Sequence, residues 1–360
     1  MGSQRLILVD GSGYIFRAFY ALPPMSREDG TPVNAVFGFT SMLLKLSEDM
    51  EGENILVVFD AARTTFRNAI YKEYKANRSE PPEELVPQFD LIKKATTAIG
   101  LKSLEVENYE ADDIIATYVK IAKKENIETL VISSDKDLMQ LIQDGVSLYD
   151  PMKNIKIGPE AVLEKFGVSP DKVIDVQALA GDSSDNVPGV PGIGVKTASQ
   201  LINEYGSLEK LWDNASSIKQ EKRRESLLNN AELAIVSKKL VSLFSDVPIP
   251  YKISDLKWTP RNDDNLLAFL KENKFKRLEN RYFDPEQASN SQPESKNIEQ
   301  NYNLITKLSD LQNLIDECIK CGVIAVDTET DSINAVQANL VGVSISTKPG
   351  TAYYITLRHI

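Results

Sequence analysis

The sequence predicts an α/β fold in which a parallel sheet carries helices on both faces. Three short, almost wholly apolar runs carry this prediction, at residues 5–10, 54–60 and 129–134. Apolar runs of this kind are typical of strands that are buried on both sides within a parallel sheet. Segments with helical periodicity separate the runs, and this alternation favours a doubly wound arrangement.

The other elements of the first 165 residues continue the alternation. A fourth strand is expected at 146–149, and a polar, basic stretch follows the second strand. Helices are expected between the strands, because apolar residues recur there at helical spacing. The expected helices are 33–49, 85–99, 111–124 and 136–142.

From about residue 170 the pattern becomes helical. The Gly- and Pro-rich segment 181–194 should form tight turns between two of the expected helices. This arrangement predicts a helical region in which the Gly- and Pro-rich segment forms a hairpin between two helices. Its helices are expected at 171–180, 196–204, 207–213 and 229–243.

A polar segment at 284–300 has no apolar periodicity, which is typical of a linker. After it, a helix at 308–319 and strands at 322–327, 339–346 and 352–357 begin another α/β pattern. About sixty residues are few for an independent domain, so this segment is expected to be the start of one. The predicted organisation is an α/β domain at 1–170, a helix-hairpin-helix domain at 171–283, the linker at 284–300 and an incomplete domain at 301–360.

Composition limits the class of protein. The chain has 52 acidic and 41 basic side chains, so its net charge of −11 argues against a polyanion binder held by bulk charge. No apolar run reaches transmembrane length and no secretory h-region is apparent, so a cytoplasmic protein without membrane contacts is expected. Cys318 and Cys321 are interpreted as reduced thiols, since His359 is the only histidine available to complete a zinc site.

Nine carboxylates in five clusters are the main functional pattern. Asp10 and Asp60 end the first two apolar runs, and Asp135 closely follows the third. The carboxyl ends of parallel strands share one edge of a sheet, so acids from three strands should meet there. The nine are Asp10, Asp60, Glu110, Asp112, Asp113, Asp135, Asp137, Asp182 and Asp185.

Such a cluster is unfavourable without a cation. Two like charges about 6 Å apart repel by roughly 3 kcal/mol at an effective dielectric near 20. Hard divalent cations, Mg²⁺ above all, remove this conflict, and a pair of them can promote hydrolysis of a phosphodiester. The competing interpretation is that each acid caps a helix or stabilises a turn, which suits Asp112, Asp113 and Asp182 individually.

A glycine-rich hairpin forms the second functional pattern. Gly189, Gly192 and Gly194 would let backbone amides approach a phosphate closely, and the next helix would present its positive N-terminus. Lys196 adds charge at that point. The pattern predicts a grip on duplex phosphates that does not read bases. A plain turn between two helices is the alternative.

Basic and aromatic residues alternate in residues 63–78, just after the strand that ends at Asp60. Tyrosines can stack on single-stranded bases, and Lys and Arg can hold phosphates. On this interpretation Arg63, Arg67 and Tyr74 contact nucleic acid. The alternative is a solvated amphipathic helix.

Together these residues resemble the 5′-nuclease domain of the bacterial DNA polymerase I family, within the flap-endonuclease superfamily. The resemblance runs from residue 5 to about 283. The matching segments are Val9–Ser12 with Arg17, Phe59–Asp60, Tyr74–Arg78, Tyr109–Asp113, Ser134–Asp137 and Gly181–Gly189.

The resemblance implies a PIN-like α/β core, an H3TH helix-hairpin-helix module and a basic helical arch over the site. It implies two Mg²⁺ ions, with Mn²⁺ as a substitute, held by the nine acids, and a K⁺ ion at the hairpin. Lys75 and Arg78 would assist catalysis at Asp10 and Asp60, and Arg17 would contact DNA.

The activity implied is that of a structure-selective 5′-3′ exonuclease and flap endonuclease. Its partners would be branched or nicked duplex DNA with a 5′ flap, and RNA–DNA primers, which it would process as a monomer in the nucleoid. Two alternatives remain: a PIN-type nuclease that acts mainly on RNA, and a non-catalytic module that binds flap DNA.

The C-terminal segment resembles the start of an RNase H-like proofreading 3′-5′ exonuclease. Asp327 and Glu329 match its first metal motif and alternate onto one face of a strand. The later acids of that site and the family's polymerase domain are not among these 360 residues. Neither proofreading nor synthesis is therefore expected of them.

Overall fold

A computed structural model describes residues 5–50, 53–151, 153–258, 263–284, 301–332 and 338–357. The chain divides into two compact units, Met1–Phe283 and Asp284–Ile360. Most of the predicted linker, residues 285–300, lies outside the described residues, as does His359. None of the helices in the described part has the length and apolarity needed to cross a membrane.

The first unit contains a six-stranded sheet with the order β3-β2-β1-β4-β5-β6. Neighbouring strands are parallel except β5 and β6, which are antiparallel, so the predicted α/β fold with a parallel sheet is confirmed. The strands are β1 (Leu6–Asp10), β2 (Asn54–Val58), β3 (Lys102–Leu104), β4 (Thr129–Ile132), β5 (Val146–Asp150) and β6 (Ile155–Ile157). Sequence patterns missed β3 and β6, because three residues are too few to show a period of two.

The central strand β1 explains why the apolar runs are continuous. Leu6 and Leu8 belong to the core on one face of the sheet, and Ile7 and Val9 belong to the core on the other. Successive side chains of a strand point to opposite faces, so a strand covered on both sides has no polar positions. Helices therefore cover both faces, as predicted.

The helices that cover this sheet follow the predicted pattern with small shifts at their ends. Residues Asp137–Leu141, predicted as an α-helix, instead form a 3₁₀ turn, and turns occupy residues 72–77. The helices are α1 (Gly11–Ala21), α2 (Asn34–Asp49), α3 (Phe66–Ile70), α4 (Gln88–Ala98) and α5 (Ala111–Lys124).

The remainder of the first unit is helical. The sequence patterns did not predict helix α10 (Glu221–Asn229), because this helix is strongly polar and buries only Leu227. The last two helices, α12 and α13, contribute Leu266, Phe269 and Leu278 to the core on the Ile7 face of the sheet, although they were assigned to the helix-hairpin-helix domain. The helices are α6 (Pro159–Phe166), α7 (Val173–Ala180), α8 (Val195–Tyr205), α9 (Leu208–Asp213), α10 (Glu221–Asn229), α11 (Ala231–Val241), α12 (Asp263–Glu272) and α13 (Lys276–Phe283).

The second unit is a four-stranded sheet with one described helix. Its strand order is β7-β10-β9-β8; β7 and β10 are parallel and the other neighbours are antiparallel. Among its described residues, only Ile305 and Leu314 are buried apolar side chains. The elements are β7 (Asn301–Ile305), α14 (Leu308–Cys321), β8 (Ala325–Thr330), β9 (Leu340–Lys348) and β10 (Thr351–Thr356).

Candidate active site

Eight of the nine carboxylates line one cavity of about 140 Å³ at the carboxyl edge of the parallel sheet. Asp10 is the last residue of β1, and Asp60 and Asp135 lie in the loops after β2 and β4. Glu110 and Asp112 come from the N-terminus of α5. The structure thus brings the acids together as the strand pattern predicted. The eight are Asp10, Asp60, Glu110, Asp112, Asp135, Asp137, Asp182 and Asp185.

Five of these carboxylates have no basic partner, and we call them the unpaired acids. Within the described ranges, no Lys or Arg nitrogen lies within 4.0 Å of their oxygens. The unpaired acids are Asp10, Asp60, Asp112, Asp135 and Asp137.

Backbone and side-chain donors orient the unpaired acids. Asp10 accepts from the Gly13 amide at 3.1 Å and the Ser133 hydroxyl at 2.7 Å, and Asp60 accepts from the Ala111 amide at 2.8 Å. Asp10 and Asp60 therefore also cap α1 and α5, so the helix-cap interpretation and the metal interpretation both describe them.

Burial and mutual repulsion raise the pKa values of three unpaired acids. Burial, with smaller contributions from the charges of Asp135 and Asp60, raises the pKa of Asp10 to about 6. Burial and Asp135 also raise the pKa of Asp137 to about 6, and burial with Asp135 and Asp10 raises the pKa of Asp112 well above its usual value. The cavity holds more negative charge than its own cations neutralise.

The donor set fits a hard divalent cation. In the described part of the chain, no hydrogen bond reaches either side-chain oxygen of Asp112 or the second oxygen of Asp60 and Asp135. No three of the described acids form a closed ligand group around one point. Mg²⁺ commonly takes only one or two carboxylates, together with waters and substrate phosphates, so an open set of this kind suits it.

The other acids are neutralised by cations of the chain. Glu110 Oε2 accepts from Lys75 Nζ at 2.9 Å, and Asp185 bonds to Arg78 and lies 3.6 Å from Lys75 Nζ. Asp182 Oδ2 lies 2.5 Å from the ammonium of Lys136, which helps to lower the pKa of Asp182 despite the opposing effect of burial. We call Glu110, Asp113, Asp182 and Asp185 the paired acids.

Lys75 occupies an unusual backbone position. Its φ of +56° lies in the left-handed region, which costs a residue with a side chain on the order of 1 kcal/mol, and its amide donates to the Asp185 carbonyl at 2.9 Å. Burial disfavours its charge, but Glu110 and Asp185 outweigh burial and raise its pKa. The turn therefore holds a charged lysine against the acids.

Asp113 and Arg67 correct two sequence predictions. Asp113 is fully buried, and both of its oxygens accept hydrogen bonds from the Arg67 guanidinium at 2.7 Å. Arg67 is only 1% exposed. Asp113 is therefore not available as a metal ligand, and Arg67 is not available to contact DNA. Both predictions are wrong, because tertiary packing pairs the two charges with each other.

Tyr74 is also not a platform for stacking bases. It is 5% exposed, and its hydroxyl lies 3.3 Å from Glu110 Oε2, so it supports that carboxylate instead.

Arg17 lies 4.0 Å from Asp150. Arg63 donates to the backbone carbonyls of Arg78 and Ser79, so its side chain lies at the end of the turns that carry Lys75.

A larger cavity of about 650 Å³ adjoins the first and shares Asp60, Lys75, Arg78 and Glu110 with it. Its lining also includes the basic side chains of Arg63, Lys72 and Lys93. Positive charge therefore lies on the approach to the acids, next to Lys75 and Arg78.

The hairpin combines one buried glycine, Gly189, with two exposed glycines, Gly192 and Gly194. Gly189 has a φ of +61°, and a Cβ there would lie 2.4 Å from the Gly181 amide nitrogen, so only glycine fits. Gly192 and Gly194 face open space, and Lys196 is exposed where α8 begins. The backbone at Gly192 and Gly194 is therefore accessible to an external anion. The Gly189 amide already donates to the buried Ser237 hydroxyl at 2.9 Å, so the prediction that Gly189 contacts DNA is wrong.

Sequence reasoning assigned no role to Lys136, Ser133 or Gln177. Lys136 neutralises Asp182, Ser133 orients Asp10, and Gln177 donates to Asp137 at 2.5 Å. The position of Lys136 between two acids was a usable signal, whereas nothing in the sequence places Gln177 near Asp137.

Asp327 and Glu329 form no comparable site. Both lie on β8, all six residues of which are exposed, and they pair in register with Ser344 and Gly342. They occupy one face of the strand, as predicted, and both are exposed.

Three family models match the chain. Residues 5–167 match the 5′-3′ exonuclease N-terminal resolvase-like domain, residues 168–264 match the 5′-3′ exonuclease C-terminal SAM fold, and residues 302–360 match a 3′-5′ exonuclease. Together they span both units.

Curated relatives named DNA polymerase I are similar to this chain. The Rhizobium leguminosarum protein is 51% identical over 77% of this chain and 28% of its own length. The Pseudomonas aeruginosa protein is 36% identical over 100% of this chain and 40% of its own length. The chain thus spans 28% to 40% of the length of these relatives.

Solved structures share the fold. A T5 5′-exonuclease with bound divalent zinc ions matches 76% of this chain and 99% of its own, with a TM-score of 0.58 and 24% identity. The catalytic core of Rad2 in complex with DNA substrate matches 75% of this chain and 88% of its own, with a TM-score of 0.53 and 17% identity.

Proposed function

Residues 5–264 of this chain belong to the 5′-3′ exonuclease family, and we propose that they form a structure-selective 5′-3′ exonuclease and flap endonuclease. The reaction is hydrolysis of phosphodiester bonds in DNA, and in RNA primers annealed to it. One observation carries the proposal: five acids without a basic partner share a cavity with Lys75 and Arg78. A site that only bound flap DNA would have no use for concentrated, unneutralised negative charge next to a polyanion.

Divalent cations are the expected cofactors, with Mg²⁺ preferred and Mn²⁺ able to replace it. Two ions at such a site would supply an activated water and neutralise charge on the attacked phosphate. Asp10, Asp60, Asp112, Asp135 and Asp137 would hold them, and the paired acids Asp182 and Glu110 would lie at the rim. The metal-bound T5 5′-exonuclease, which has the same fold, supports this assignment.

Lys75 and Arg78 would bind and orient the scissile phosphate. Each now bonds to an acid of the cavity, Glu110 or Asp185. A phosphate that arrives between them would exchange these contacts for contacts to its own oxygens, and the positive charge would stabilise the negative charge that develops there. The exposed glycines Gly192 and Gly194, with Lys196, would hold the duplex through its phosphates, with K⁺ as a further ligand of this turn.

The proposed substrates are branched or nicked duplex DNA with a 5′ flap, and RNA–DNA primers. The wide, basic cavity beside the acids, with Arg63 and Lys72 in its lining, suits a single strand that leaves the duplex. Arg17 stays a proposed DNA contact. We place the protein in the cytoplasm at the nucleoid, acting as a monomer in replication and repair.

The alternatives are a PIN-type RNase and a non-catalytic module that binds flap DNA. The accessible glycines Gly192 and Gly194 suit contacts to duplex phosphates, which favours DNA over single-stranded RNA. Complete retention of the unpaired acids favours catalysis over binding alone.

The test uses the full chain and a 5′-labelled flap duplex with Mg²⁺ or with EDTA, together with a single-stranded RNA of the flap sequence. We expect cleavage near the flap junction with Mg²⁺ only, and slower cleavage of the RNA. Flap binding without cleavage in Mg²⁺ and in Mn²⁺ would show a binding module, and preferred cleavage of the RNA would show an RNase.

A further inference from the structure

Arg67 has the largest fully buried side chain in the described structure, and it is charged. Its Nη1 and Nη2 atoms each donate to one oxygen of Asp113 at 2.7 Å. Its Nε donates to the Leu240 carbonyl at 2.8 Å, and Nη2 also donates to the Ser242 carbonyl at 3.0 Å. A buried pair of charges is seldom needed for stability alone, because apolar residues of similar volume stabilise as well or better.

The Arg67–Asp113 ion pair joins three segments of the first unit. Arg67 lies in α3, just before the turn that carries Lys75. Asp113 lies in the first turn of α5, where Oδ2 also accepts from the backbone amide of Glu110 at 3.1 Å. Its Oδ1 accepts from the Phe244 amide at 2.8 Å, and Phe244 follows the end of α11. The pair therefore connects the helix end that presents Glu110 to the C-terminus of α11.

Helix α11 is bonded in turn to the glycine-rich hairpin. The hydroxyl of Ser237, which is fully buried in the middle of α11, accepts from the Gly189 amide at 2.9 Å and donates to the Leu233 carbonyl at 2.8 Å. A continuous series of hydrogen bonds thus runs from Gly189 through α11, Arg67 and Asp113 to Glu110. One end is Gly189, the buried residue three positions before the exposed Gly192 of the proposed duplex grip, and the other is Glu110 at the proposed cleavage site.

We propose that Arg67 is a positioning residue that fixes the distance between the hairpin and the acids, and thereby decides which phosphodiester is cut. This inference rests on the proposed function. A duplex held at the hairpin presents its phosphates at steps of about 3.4 Å along the axis. A shift of about 1 Å in a reacting group can lower the rate by ~100-fold. A rigid joint between grip and acids is therefore needed to cut at one position.

The test is single-turnover cleavage of a 5′-labelled flap duplex in Mg²⁺, with products resolved to single nucleotides. Arg67→Lys keeps the charge but loses the paired geometry and the bonds to α11. Ser237→Ala breaks the same series of bonds at the hairpin and leaves the ion pair intact. Arg277→Lys is the matched control, because Arg277 is an exposed residue of α13 outside the site. Circular dichroism and melting establish that each variant is folded.

We expect Arg67→Lys to spread cleavage over neighbouring positions and to lower the rate about tenfold or more, with duplex affinity within about twofold of wild type. Ser237→Ala should spread cleavage less, and Arg277→Lys should match wild type. A folded Arg67→Lys that cuts at the wild-type position overturns the inference, even if it is slower, because only positioning changes where the cut falls. If Arg67→Lys does not fold, an unchanged product pattern in Ser237→Ala overturns it. Absence of cleavage by the wild-type chain would instead overturn the proposed function.

Discussion

The unpaired and the paired acids lie close together, eight of them around one cavity and Asp113 behind it, but their charges are compensated differently. Burial and the charge of Asp135 raise the pKa values of Asp10, Asp112 and Asp137, and no Lys or Arg nitrogen in the described ranges lies within 4.0 Å of these carboxylates to offset the effect. Asp113 is buried more completely than these, yet Arg67 compensates its charge with two hydrogen bonds. Burial alone therefore does not distinguish a ligand from a structural carboxylate. The presence or absence of a basic partner does.

This comparison divides the nine acids by function. An acid without a partner is a source of repulsion that a bound cation can relieve, so its loss should harm activity and spare stability. An acid with a partner already has its counter-ion, so its loss should harm stability or the placement of that partner. The predictions below, ordered by the size of the effect, test this division.

The largest effect is expected for Asp135→Asn. This change removes a proposed metal ligand and should lower flap cleavage by at least ~100-fold, and Asp112→Asn should do the same. Asp135→Asn also removes a charge that repels the neighbouring carboxylates. Without metal, the melting temperature of this variant should therefore be no lower than that of wild type. Single-turnover cleavage and thermal melting measure the two effects. Near-normal cleavage by both variants would remove the unpaired acids from the mechanism.

Asp135→Asn also tests whether the unpaired acids bind Mg²⁺. Ligand that binds only the folded state adds about 2.7 kcal/mol at 100-fold excess over its dissociation constant, so Mg²⁺ should raise the melting temperature of wild type. The increase should be smaller in Asp135→Asn. NaCl at matched ionic strength serves as the control for general salt effects, and an equal Mg²⁺ effect in both proteins would contradict metal binding at this acid.

Asp113→Asn should show the opposite pattern. It leaves the Arg67 guanidinium buried without its counter-ion, which costs about 3 kcal/mol or more in the free energy of unfolding. Denaturant melts with and without Mg²⁺ should show this loss equally. A variant of normal stability, with a reduced Mg²⁺ effect, would restore Asp113 to the ligands and break the comparison.

Lys75→Ala should produce a smaller effect on catalysis than loss of a ligand. The side chain is proposed to orient the phosphate and stabilise its charge, so single-turnover cleavage should fall by about 10- to 100-fold with little change in duplex affinity. Arg78→Ala should act in the same direction. If Lys75→Ala weakens binding and leaves the single-turnover rate unchanged, the lysine is only a contact.

Lys196→Ala lies outside both groups of acids and should affect binding alone. We expect a few-fold weaker duplex affinity, with the salt dependence of binding reduced by roughly one phosphate contact. Titrations at several salt concentrations measure this slope. An unchanged slope would show that the hairpin lysine does not touch the duplex.

The smallest effect is expected on removing residues 284–360. Asp327 and Glu329 are also acids without a close basic partner in the described structure, but both are exposed. Flap cleavage should therefore be nearly unchanged, and a 3′-labelled single strand should survive incubation with the full chain. Degradation of that strand, abolished by Asp327→Ala and not by Asp135→Asn, would establish a second working site.

The sequence alone determined the central strands, the helices around them and the convergence of the acids. Strands β1, β2 and β4 are buried on both faces, so their continuous apolar runs could be recognised without any knowledge of their neighbours. Their carboxyl ends had to meet, because parallel strands run in one direction. Elements with little apolar content, β3, β6 and α10, left no such pattern.

Only the tertiary structure decided which acid pairs with which cation. Asp112 and Asp113 are adjacent in sequence, yet one faces the cavity and the other faces Arg67, because successive residues of a helix point about 100° apart. Arg67, Lys75 and Arg78 lie within twelve residues and could not be told apart as buried or substrate-facing. Local sequence determines which elements form, but charge pairing depends on contacts such as Arg67–Asp113, which join residues 46 positions apart.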